Sequence, residues 1–136
     1  MDFNSPGMQE HVLAAANTVK RTAGYPKFEW DACLTQRARH VAMNCDGHCS
    51  QEAPPFPSST ARCASHASGI TSYKTDTYWY WMAQATICQL IHSDPGHRGP
   101  FIGGGPAGGR TKIGYYAHIN VHTTKRYNVK VVYIYS

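Results

Sequence analysis

The sequence predicts an α+β layered domain. Apolar residues recur at helical spacing in three early stretches, while two long alternating stretches rich in β-branched and aromatic residues close the chain. A length of 136 residues suits one hydrophobic core, so residues 1–136 read as a single domain.

Ser5-Pro6 supplies an N-cap and a Pro in the first turn of a helix. Val12, Ala15, Ala16 and Val19 then mark its apolar stripe until Gly24, a C-terminal stop. Tyr25 to Trp30 reads as an extended link. Asp31 caps a second helix striped by Leu34, Ala38, Val41 and Ala42. From Asn44 to Ser72 the chain is rich in Gly, Pro, Ser and Cys and reads as one long loop, either stapled or functional. A third helix is expected from about Asp76 to Ile91, ended by Pro95-Gly96. Its consecutive Tyr78, Trp79, Tyr80 and Trp81 cannot all face one side, so two are expected in the core and two outside. Exposed rings of this kind stack on sugars, bind sterol or lipid, or anchor a partner chain. The segment from Gly99 to Gly109 holds six Gly and two Pro but lacks the Lys-Ser/Thr ending of a phosphate loop, and reads as a flexible excursion. The strands Ile113 to Val121 and Tyr127 to Tyr135 follow, with a turn at His122 to Arg126.

Composition narrows the function. Three Trp, nine Tyr and four Phe argue against disorder, and no apolar run is long enough to cross a bilayer. The net charge of +5 favours acidic polymers in general. The positive residues are scattered, however, with no run reaching five, and no nucleic-acid-binding pattern is present. No specific nucleic-acid partner is expected. Five cysteines (Cys33, Cys45, Cys49, Cys63 and Cys88) point to an oxidising compartment, with two disulfides of undecided pairing and one thiol left over. Met1 to Gly7 lacks the basic and apolar regions of a signal peptide, so the chain reads as a mature or truncated form carrying a start Met.

Two stretches carry a resemblance. The first is Asn17-Thr-Val-Lys-Arg21, Gly24-Tyr-Pro26 and Phe28-Glu-Trp30-Asp31, followed by Leu34, Ala38 and Ala42. The second is Ser93-Asp94-Pro95-Gly96-His97-Arg98, followed by Lys112-Ile113-Gly114 and the strand pair. In this order they resemble the CAP superfamily of cysteine-rich secretory, venom-allergen and pathogenesis-related proteins, in its bacterial SCP-like branch. The resemblance implies a three-layer α-β-α sandwich, secreted or cell-surface, with a His-lined cleft. His48, in Cys45-Asp-Gly-His-Cys49, matches the first cleft His of that family, and His97 the second. Where the family carries a Glu-Asn pair, this chain reads Cys63-Ala-Ser65-His66-Ala-Ser68-Gly69. Near Ala83 to Cys88 the family's other acid is absent as well. Ser65 and His66 therefore stand in the cleft in place of a carboxylate.

Converging imidazoles suit zinc or copper. His48 and His97 are the candidate metal ligands, with His66 as a third; the plainer reading makes them polar cleft residues bonded to water and backbone. Cys45-x-x-His48-Cys49 reverses the last two residues of the haem motif, and disulfides holding the His48 loop explain these cysteines better than a Cys/His zinc cluster does. A triad of Ser65 or Ser93 with His97 and Asp94 is disfavoured by adjacency in sequence, and Cys88 is expected to be buried. With both acids missing, no general base is evident. The sequence thus points to a non-enzymatic module that binds a lipid, sterol or glycan or self-associates. The alternative is a metal-dependent hydrolase of cell-wall or peptide substrates.

Overall fold

The computed structural model describes residues 2–44, 57–66, 75–103, 108–123 and 126–136, with backbone alone for 62–66, 120–123 and 126–128. The first helix, α1 (Pro6–Thr22), starts where Ser5 Oγ accepts the Met8 N–H at 3.2 Å. It ends at Gly24, whose φ of 80° is the left-handed conformation glycine adopts without strain. The Tyr25 N–H reaches back to Lys20 O at 2.9 Å and the Gly24 N–H to Arg21 O at 3.1 Å. This pair of bonds is the Schellman pattern, which satisfies the carbonyls orphaned at a helix end.

The turned chain is then held by Asn17. Its amide Nδ2 donates to Phe28 O at 3.1 Å while its Oδ1 accepts the Phe28 N–H at 2.6 Å. Strand β1 (Glu29–Trp30) follows and pairs parallel to β3 (Lys112–Thr123). Helix α2 (Ala32–Asn44) begins at once because Asp31 Oδ1 accepts the Leu34 N–H at 2.9 Å. The other elements are β2 (Ser58–His66), α3 (Thr75–Ile91), α4 (Pro95–Ile102) and β4 (Arg126–Tyr135). The sheet order is β1-β3-β4-β2, with β4 antiparallel to both of its neighbours.

Alternation divides the sheet between two cores. Tyr115 and Ala117 of β3 and Val129, Val131, Tyr133 and Tyr135 of β4 face α1, α3 and α4. Val132 and Ile134 face Leu34, Ala38, Val41 and Ala42 of α2. Helix α2 sits so close to the sheet that a Cβ on Gly114 would lie 2.2 Å from the Leu34 carbonyl carbon. On the other side, the fully buried Lys20 ammonium donates to Gly108 O at 3.1 Å and to Arg110 O, and it lies 4.0 Å above the Phe28 ring. Burial pushes its pKa below the usual lysine range.

Three expectations change. The stretch from Asn44 to Ser72 is not loop throughout, since Ser58–His66 is an edge strand bonded along its length to β4. Its Ser, Ala and Cys residues show no apolar alternation, so the pairing comes from β4 and not from local preference. Pro95 opens a helix as well as following one, because Asp94 caps it and a Pro in the first turn loses no hydrogen bond. That helix also claims Gly99 to Ile102 from the excursion. Cys88 is exposed on α3.

Gly114→Ala is expected to cost about 3 kcal/mol, since the methyl group meets helix backbone and not a movable side chain. Gly24→Ala should cost about 1 kcal/mol, because nothing crowds that site and only the left-handed φ opposes a Cβ. Denaturant unfolding of the two variants checks both values, and equal losses would contradict the packing argument.

Candidate functional site

His97 lies in the first turn of α4, and its position follows from the cap. Asp94 Oδ1 accepts the His97 backbone N–H at 3.0 Å and also contacts His97 Nδ1 at 2.8 Å. Together the backbone N–H and then the imidazole hold the Asp94 carboxyl below the usual carboxylate range. With Nδ1–H donating to Asp94, the Nε2 nitrogen is the one presented to a ligand, and the His97 side chain is 28% exposed. A carboxylate on the far ring nitrogen is how metal-binding and proton-accepting imidazoles are oriented. Asp94 therefore joins His97 in the candidate site, and the Ser-Asp-Pro-Gly-His run already placed an acid at the cap and a His three residues on.

The triad geometry fails on one detail. Ser93 Oγ sits 3.4 Å from Nδ1, the nitrogen that Asp94 already occupies. A Ser–His–Asp relay requires the two partners on opposite ring nitrogens.

Of the other predicted site residues, His48 lies outside the described residues, as do Cys45 and Cys49. Ser65 and His66 fall at the end of β2, opposite Tyr127 and Arg126 of β4. Among the described residues no three His, Cys, Asp or Glu side chains converge on a metal position. Cys33 and Cys88 are both exposed and unpaired. Three cysteines then remain, enough for one intrachain disulfide and not the expected two.

A second surface lies towards the N-terminal end of α3. Tyr78 is buried and Trp79 half-buried, while Tyr80 and Trp81 are each 49% exposed. Tyr80 meets the edge of His11 at 6.1 Å, and His11 Nε2 lies 2.6 Å from Asp76, the one charged residue of α3. Eleven residues of helix separate Tyr80 from Ile91, a rise of roughly 16 Å. The aromatic pair therefore lies well along α3 from its C-terminal end, beyond which α4 carries His97.

Comparison with solved structures settles what this arrangement is built on. The chain aligns over 95% of its length with NaASP2, solved with Zn2+, at a TM-score of 0.54 and 10% identity, covering 80% of that chain. It aligns over 96% with MpPR-1i at a TM-score of 0.55 and 18% identity, covering 88%. Both are CAP superfamily structures. The chain has a CAP-like fold. A third match, Na-ASP-1, is covered over 93% of this chain and 36% of its own, at a TM-score of 0.51 and 13% identity. No family profile matches the sequence, and no curated protein does. The α-β-α layering expected from the two motif stretches is thus the observed fold.

Asp94 is depressed in the folded protein relative to its ordinary 3.8. The α4 cap should therefore be fully formed above about pH 3.8 and lost as pH falls through the lower folded value. The His97 backbone amide shift, followed by NMR, should titrate with a midpoint below 3.8, and Asp94→Asn should abolish the step. A midpoint at or above 3.8 would contradict the bonded geometry.

Proposed function

We propose that the protein is a secreted or cell-surface CAP-like module that binds an amphipathic extracellular ligand, a lipid, sterol or glycan, and does not catalyse a reaction. The observation that carries this is the adjacent, half-exposed Tyr80 and Trp81 on α3. Two half-exposed rings one residue apart offer apolar contact on two adjoining sides of the helix, and Asp76 and His11 add a polar rim beside Tyr80. No described helix is long and apolar enough to cross a membrane, so contact with lipid on this reading is made from the surface. The same face is also where self-association would occur.

A metal-dependent hydrolase acting on cell-wall or peptide substrates is the second reading. Two observations favour it: Asp94 orients His97 with Nε2 outward, and NaASP2 was solved with Zn2+. The donor chemistry fits, since an imidazole backed by a carboxylate suits one zinc position. On this reading His48 and His97 hold the metal and Ser65 and His66 line the cleft, while Asp94 fixes the His97 tautomer. Zinc bound there would polarise a water or carbonyl oxygen.

Binding to lipid vesicles and to a glycan panel should fall about tenfold in a Tyr80→Ala/Trp81→Ala variant with unchanged unfolding, the loss of roughly 1.4 kcal/mol of ring contact. Equal binding by variant and wild type would sink the aromatic-contact reading. Concentration-dependent oligomers in light scattering would identify a second copy as the occupant. Metal content decides the alternative: about one zinc per chain, absent from His48→Ala/His97→Ala, supports it, and no zinc in either protein removes it.

A further inference from the structure

The outer face of α1 and the link that follows it border a cavity of about 520 Å³, within the range of small-molecule pockets. Its walls are Ala14, Asn17, Thr18 and Arg21 of α1, with Tyr25 and Lys27 of the link. Ala14, Thr18 and Arg21 recur at helical spacing on the exposed side of the helix, while Val12, Ala15 and Ala16 fill the core. The Tyr25 ring is wedged against main chain, since a Cβ on Gly108 would lie 2.7 Å from its Cε1. Gly108 O in turn accepts from the buried Lys20 ammonium, so this wall is held from within the fold.

The neutral polar groups of the cavity are already engaged. Asn17 is bonded through both its amide nitrogen and its oxygen to Phe28, and the Thr18 hydroxyl donates to Ala14 O at 2.9 Å. No carboxylate is among the lining residues. Arg21 and Lys27 are both exposed, and among the described residues neither side chain has an ion-pair or hydrogen-bond partner. The last turn of α1 does not need the guanidinium, because Val19, Lys20 and Arg21 O each accept a main-chain N–H. Two uncompensated cations thus share one largely apolar cavity.

We propose that this cavity binds a small organic dianion with an apolar body, of the phosphate-monoester class. The Arg21 guanidinium offers a planar fork that fits two phosphate oxygens, and Lys27 supplies the second positive charge as a point donor. The Tyr25 ring, the Ala14 methyl group and the stems of the two cations line the space for the body of the ligand. An inorganic ion would use the charges and leave the apolar wall wet, whereas a neutral ring would leave both charges unused. The site shares no residue with the Tyr80 and Trp81 surface or with His97.

The protein is titrated with phenyl phosphate, inorganic phosphate and benzyl alcohol, and backbone amide shifts are followed by NMR. Phenyl phosphate should move the amides of Thr18, Arg21, Tyr25 and Lys27 with a Kd of about 1 mM, a modest affinity for a ligand this small. Inorganic phosphate should bind about tenfold more weakly, and benzyl alcohol should leave these amides in place. Arg21→Gln and Lys27→Gln should each weaken phenyl phosphate about tenfold, the loss of one charge-assisted contact. Arg39→Gln, which removes the same charge from α2 in the other helical layer, should change nothing. Phenyl phosphate that moves none of these amides would overturn the proposal. So would an equal loss in Arg39→Gln and Arg21→Gln, since that would report net charge alone. Inorganic phosphate or benzyl alcohol binding as tightly as phenyl phosphate would overturn it as well.

Discussion

The α1 side of the sandwich hangs on the buried ammonium of Lys20. A charge taken out of water must be hydrogen-bonded, and the partners here are main-chain carbonyls of Gly108 and Arg110, with the Phe28 ring as a third contact. That fixes the approach to β3. The Glu29 N–H then meets Thr111 O at 2.7 Å, and the Asp31 N–H meets Ile113 O at 3.0 Å. The Thr111 and Lys112 N–H groups both reach Ser136 O. One buried side chain thereby aligns β1, the start of β3 and the end of β4. Through β1 it also sets where Asp31 can cap α2, and hence the close passage of Leu34 over Gly114.

A second dependence runs through aromatic packing. Phe101 of α4 is fully buried, meeting Phe28 at 5.9 Å and Tyr135 at 5.5 Å, both nearly edge-on. This anchors the C-terminal end of an eight-residue helix that would be marginal alone. The cap at Asp94 secures the other end. Thr86 of α3 reaches Tyr133 of β4 at 2.7 Å, so the buried phenol of that strand has a partner at the helix–sheet boundary. His97 therefore projects from a helix held at both ends.

The helices α1, α2 and α3 and the strands β3 and β4 were legible because cap residues, apolar spacing and β-branched runs agree along them. Strand β2 was not, since its nine residues are small or polar and its partner supplies the order. Helix α4 was hidden by Pro95, Gly96, Gly99 and Pro100, which read as breakers until Asp94 is seen to accept from His97. The exposure of Cys88 was misread for a different reason. Helix α3 is apolar nearly all round, so its pattern does not say which face is buried. Tyr78, Met82, Ala83, Thr86, Ile87 and Leu90 take the core, and Cys88 falls one step outside that stripe.

The candidate site shows how a local rule of helix capping acquires chemical consequence. A single oxygen, Asp94 Oδ1, accepts both the backbone N–H of His97 and its Nδ1. Because the amide and the ring belong to the same residue, the cap that starts the helix also restricts how the imidazole can turn. Nε2 lies across the ring from the bonded nitrogen, so the bond to Asp94 does not use it. A capping Asp with any other residue three positions on would start the helix equally well. The pairing with His is what the helix does not need, and it is the part of the motif that a ligand would use.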